Sequence, residues 1–198
     1  NFAKMFPLAD PPNYEPTADE SLGARAAQRN VSPEELAYDW MLGDDGRALI
    51  LFPFLNYADD NLEPALAMMR HPHTVLGLGD GGAHVGMICD GSFPTSMLTH
   101  WTRDRTRGAK LPLEWVIKAQ SHDTAAAVGL HDRGLLKPGY KADLNVIDHA
   151  RLTLHRPKVA YDLPAGGRRL VQYADGYEAT VVSGAVTYRN GKPTGALP

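Results

Sequence analysis

Two apolar runs of strand length, Ala48 to Asn56 and Thr74 to Gly79, stand on either side of one amphipathic segment, and this arrangement constrains the chain most. An almost unbroken apolar run is the pattern of a strand covered on both faces, as in a parallel sheet. Between the runs, Leu62, Ala65, Leu66 and Met69 form one helical stripe over Asn61 to Arg70. Strand, helix, strand at this spacing predicts a βαβ unit. Upstream, Asn1 to Pro16 is rich in Pro, Asn and Asp and reads as irregular. Ser21 to Gln28 and Ser32 to Met41 read as helices. The second has Ser32 at the N-cap, Pro33 at the first helical position and Glu35 placed for a capping box, and it closes near Gly43.

Downstream, helices are expected over Pro94 to Arg105, Leu113 to Gln120 and Asp123 to Val128, with Gly129 as the stop. Beyond Gly134 the texture changes. Pro138-Gly139, Ser183-Gly184 and Asn190-Gly191 separate short runs rich in β-branched and aromatic residues. Ala142 to Ile147 alternates, and Ala179 to Val182 with Ala185 to Tyr188 reads as a hairpin. A boundary near Leu136 therefore divides an α/β segment, 1–136, from a small β module, 137–198.

The chain's 198 residues, 43% of them hydrophobic, suffice for a packed core, and a formal net charge of −3 without a basic stripe argues against nucleic acid. No apolar run is long enough for a membrane span, so the expectation is a cytoplasmic protein with no membrane partner. One cysteine, Cys89, excludes an internal disulfide and a thiolate zinc cluster, and reads as a small buried hydrophobe.

Asp80 is the leading candidate for chemistry. It ends a predicted buried strand and is followed by two glycines that leave its carboxylate open, and barrel enzymes place their sites at that end of the strands. A carboxylate there can ligate a metal or take a proton from water. It can equally cap the turn that follows. His84 lies close enough to share a mouth with Asp80, where an imidazole can ligate, bind substrate or fill space. His71-Pro72-His73 has the spacing of a metal pair, but it precedes the strand and Pro72 indicates a turn, so a solvated loop is expected. Asp162 to Arg169 either brings arginines, Arg168 among them, toward a carboxylate substrate or is a surface turn. Trp40, Trp101 and Trp115 fall on predicted helices and read as core.

Several segments together resemble the amidohydrolase superfamily, within it the N-acyl-D-amino-acid deacylases. His73-Thr-Val-Leu-Gly-Leu-Gly-Asp80-Gly-Gly-Ala-His84 is similar to that family's eighth barrel strand with its essential aspartate. Ser121-His-Asp-Thr-Ala-Ala-Ala-Val-Gly-Leu130, Asp132-Arg-Gly-Leu-Leu-Lys-Pro-Gly139 and Lys141-Ala-Asp-Leu-Asn-Val-Ile-Asp148 resemble its passage from the last helix into a β-sandwich. Asp162 to Leu170 and Gly176-Tyr-Glu-Ala-Thr-Val-Val-Ser-Gly184 resemble its closing strands.

The resemblance implies the C-terminal part of a metal-dependent TIM barrel, about two βα units, followed by part of a small β-sandwich. It implies zinc-dependent hydrolysis of the amide bond of N-acyl amino acids, with Asp80 as metal ligand and general base. His84 matches only the loop after the strand, so the resemblance leaves it either a substrate-binding role or one supporting the metal ligands. The family's other metal ligands have no counterparts here and would lie upstream of Asn1. One carboxylate cannot hold zinc against water, so the chain alone is expected to be inactive and to lack zinc. With only about two strands of a barrel that takes roughly 250 residues, it is also expected to form a homo-oligomer or to associate with a missing N-terminal portion. The cyclic-amide hydrolases of the dihydroorotase and hydantoinase kind share the Pro-Gly-x-x-Ala-Asp-Leu passage and stand as the alternative enzyme reading. A non-catalytic interaction module is the alternative of another class.

Overall fold

In the computed structural model the described residues are 1–77, 79, 81 and 84–198. The helices that carry their own caps form where the sequence places them. Helix α1, Leu22–Arg29, starts at Ser21, whose Oγ accepts from the Ala24 amide at 3.1 Å. Helix α2, Pro33–Gly46, starts at Ser32, whose Oγ accepts from the Glu35 amide, and its helical backbone is interrupted from Gly43 to Asp45. Leu22, Ala26, Leu36 and Ala37 bury the facing sides of these two helices in one small core.

The first strands are a correction. The N-terminal stretch is not wholly irregular, because β1, Phe6–Leu8, pairs antiparallel with β2, Leu49–Leu51. The predicted parallel strand over 48–56 is thus a three-residue antiparallel one. Phe6 and Leu8 drive this pairing by burying their side chains to 1% and 5% exposure, and Pro7 is tolerated because a two-stranded ladder consists only of edges. The indole N–H of Trp40 donates to the Leu49 carbonyl at 2.9 Å and ties α2 to β2. The second run forms no strand over 74–77, so the predicted βαβ unit is absent among the described residues. An apolar run reports burial and does not choose a hydrogen-bonding partner.

The main core gathers around α3 (Glu63–Arg70), α4 (Phe93–Thr99) and α5 (Leu113–Gln120). Its centre is Leu66, Met97, Leu98, Trp101, Leu111, Val116 and Leu152. A π-helical turn over His100–Asp104 extends α4 and turns Trp101 inward. Helix α6, His122–Ala127, stops before Gly129, which takes φ +79°.

The C-terminal part is antiparallel. Strands β3 (Leu144–Ile147), β4 (Thr153–Leu154), β5 (Lys158–Leu163), β6 (Gly167–Val171), β7 (Ala174–Asp175), β8 (Tyr177–Val182), β9 (Ala185–Arg189) and β10 (Lys192–Pro193) form one four-stranded sheet, order β10-β9-β8-β3, and the pairs β4-β7 and β5-β6. The β8–β9 turn is Ser183-Gly184 at φ +50° and +83°, and the β9–β10 turn is Asn190-Gly191 at φ +48° and +72°. These signs at both central residues are what a two-residue hairpin requires. Leu152 enters the helical core, and Tyr177 Oη lies 2.7 Å from Thr95 Oγ1. The described residues thus form a mixed structure of helices and small antiparallel sheets, without the expected barrel or sandwich among them. No helix among them is long and apolar enough to cross a membrane.

Candidate active-site region

Asp80 lies outside the described residues, but both its neighbours are placed. A Cβ on Gly79 would stand 2.7 Å from the Asp90 carbonyl oxygen and 3.1 Å from Phe93 Cδ1. A Cβ on Gly81 would stand 3.3 Å from Gly91 Cα. Both glycines therefore rest on the tight turn Asp90–Ser92 that leads into α4, and the first has no room for any larger residue.

His84 is exposed, at φ +48°, and its carbonyl accepts from the Met87 and Ile88 amides at 2.8 and 3.1 Å. The next carbonyl, of Val85, accepts from the Leu170 amide at 2.7 Å, which fastens this turn to β6. Arg168 lies on the same strand and is exposed. Among the described residues neither side chain has a hydrogen bond or ion pair. The arginine that grips a carboxylate is Arg169, whose Nε and Nη2 each donate at 2.7 Å to Asp162 across the β5–β6 ribbon. That bidentate pair occupies Arg169, so of the two arginines Arg168 alone has no carboxylate partner among the described residues.

Below this turn lies a polar knot that the sequence did not reveal. Gln172, between β6 and β7, donates through Nε2 to Tyr14 Oη at 2.8 Å and to the His155 carbonyl at 2.7 Å. Its Oε1 accepts from Ser92 Oγ. Burial pushes the Tyr14 phenol up to about 12, and burial also raises the half-buried Cys89 thiol. Neither is an anion at neutral pH, so neither serves as a nucleophile there.

Tyr14's neighbour Glu15 faces a second group. Its carboxylate, 2% exposed, accepts from Arg105 Nε at 2.9 Å, Arg105 Nη2 at 2.8 Å and the Leu62 amide at 2.9 Å. Burial alone would raise Glu15, but the Arg105 and Leu62 donors outweigh it and hold it below the usual range. His100 Nε2 lies 3.2 Å from Glu15 Oε2, yet it forms no hydrogen bond of proper geometry. Burial lowers that imidazole against the upward pull of Glu15. This cluster fixes the extended segment around Glu15 to α3 and the π-turn, with the Glu15 carboxylate committed to Arg105 and the Leu62 amide.

An open cavity of about 590 Å³ lies between α4, α5, α6 and β3. Leu76, Phe93, Ile117, Leu136, Leu144 and Tyr177 supply much of its wall. Among the described residues its lining includes one carboxylate, Asp143, bound by Lys141 Nζ at 2.6 Å and the Ser183 amide at 2.8 Å, in a wall that is mainly apolar.

Zinc needs three or four donors, and among the described residues no three His, Cys, Asp or Glu side chains are placed to hold a metal. His71 and His73 sit on an exposed turn, where the Nδ1 of His71 accepts from the His73 amide. The described residues therefore do not fit the group.

Compared with known proteins, the chain matches the model of the amidohydrolase family over residues 12–188. No curated protein and no solved structure matches it.

Proposed function

Because the chain belongs to the amidohydrolase family, we propose that it is the C-terminal portion of a hydrolase cleaving the amide bond of N-acyl amino acids, N-acyl-D-amino acids first among them. The observation that supports this reading is the family match over residues 12–188, a span that includes Asp80. Asp80 takes a proton from the attacking water as the oxygen bonds to the carbonyl carbon, then returns it to the nitrogen as the C–N bond breaks. Zinc would supply Lewis acidity to such a site, with its remaining donors coming from outside the described residues. Arg168 and His84 meet the substrate, the guanidinium pairing with its carboxylate. The exposed Leu55, Phe54 and Leu136, at 81%, 74% and 89%, favour association, with a second copy or with the portion that completes the site.

The test is amine release from a panel of N-acyl-D- and N-acyl-L-amino acids and cyclic amides, with zinc measured by elemental analysis. The chain alone is expected to show no stoichiometric zinc and no turnover. With the completing portion present, N-acyl-D-amino acids are expected to be hydrolysed, and Asp80→Asn to abolish that. Full turnover in Asp80→Asn, or turnover confined to cyclic amides, overturns the reading.

A further inference from the structure

Ser92 occupies the N-cap of α4, where a serine hydroxyl ordinarily accepts from a helix amide. Here it makes no such cap and instead donates to Gln172 Oε1. The Gln172 carboxamide commits both of its N–H groups, to Tyr14 and the His155 carbonyl, while its oxygen accepts from Ser92. One side chain, set between β6 and β7, thus reaches three other stretches: Tyr14 before Glu15, the Asp90–Ser92 turn, and the His155 carbonyl after β4. The turn it holds is the floor under Gly79 and Gly81, where a shift of a few tenths of an ångström is felt because the approach is already at contact.

We propose that Gln172, with Tyr14 and Ser92, is a positioning residue for the Asp80 loop, fixing the Asp90–Ser92 turn on which the glycines flanking Asp80 rest. The proposal rests on the assignment of Asp80 to amide hydrolysis. Its physical core, that Gln172 governs the order of the segment 74–93, can be tested without activity.

The experiment is amide hydrogen exchange by mass spectrometry on the full chain, comparing Gln172→Leu and Ser92→Ala with the parent. Both variants remove the link to the turn. Peptides within 74–93 are expected to exchange about tenfold faster, while Leu113–Gln120 is unchanged. The sole cysteine gives a second readout, with Cys89 alkylation by iodoacetamide expected to accelerate in step. Unchanged exchange in 74–93, or equal acceleration in Leu113–Gln120, overturns the proposal, the latter because the knot would then serve only general stability. If Gln172→Leu does not fold, Ser92→Ala and the milder Tyr14→Phe decide by the same criterion. Where turnover is measurable, kcat is expected to fall with KM unchanged. A failure to find turnover in any form counts against the proposed reaction, and the exchange result stands apart from it.

Discussion

Replacing Glu15 by alanine tests the buried cluster most directly. Arg105 is wholly buried, and Glu15 supplies two of its four side-chain hydrogen bonds, the others going to Glu63 Oε1 and the Ala109 carbonyl, each at 2.8 Å. Glu63 is half-exposed, so its attraction is screened by water and replaces little of the loss. The Trp101 ring, 4.7 Å from the guanidinium carbon, gives some further cover. Removing one partner of a buried pair costs about 3–5 kcal/mol, because the remaining charge stays buried without compensation. At this chain length that corresponds to a melting temperature lower by about 10 °C. Glu15→Gln keeps an acceptor and is expected to cost about half as much. The folded-state pKa of Glu15 is depressed, so its contribution is present above the ordinary value of 4.5 and is lost as pH falls through the folded value. Urea or thermal unfolding at pH 7 and pH 4 is the assay. The parent should lose more stability between these two values than Glu15→Gln does. A cost below about 1 kcal/mol for Glu15→Ala would refute the reasoning, since it would mean that water reaches Arg105.

Three further outcomes are expected. The hydrogen bond that His155 donates to Asp175 raises its pKa, with Asp10 adding to it, so His155 stabilises the fold below its ordinary value of 6.5 and ceases to as pH rises through the folded value. His155→Gln should therefore flatten the change in melting temperature between pH 6 and pH 8, and an unchanged slope would exclude the pairing. Gly176→Ala should destabilise by about 2 kcal/mol or more in denaturant unfolding, because Gly176 has φ +101° and a Cβ there would stand 2.6 Å from Leu152 Cα. Equilibrium sedimentation of the isolated chain should show a dimer that weakens when Leu136 and Leu55 are replaced by serine. A monomer at all concentrations would remove the case for self-association.

What was legible in the sequence shares one physical property, that its cause is local. Ser21 and Ser32 satisfy helix amides within three residues, and the Ser183-Gly184 and Asn190-Gly191 turns need only residues that tolerate positive φ. Trp101 was recognisable as core for the same reason. The motif around Asp80 was legible as a family signature, and the family match over residues 12–188 agrees at that level. The strands were less so. The apolar residues from Ala48 to Asn56 have the pattern of a strand with parallel neighbours, yet the ladder formed at Leu49–Leu51 uses Phe6–Leu8, a stretch whose prolines read as loop.

The sequence by itself determined the helices, the hairpins and the family, because capping, periodicity and turn chemistry act between neighbours in the chain. Only the tertiary structure decided which strands pair, that Arg169 rather than Arg168 grips Asp162, that Glu15 is buried against Arg105, and that Gln172 joins Tyr14 to Ser92. Each of those partners is chosen by burial and reach in three dimensions, and no short-range pattern in the chain encodes that choice.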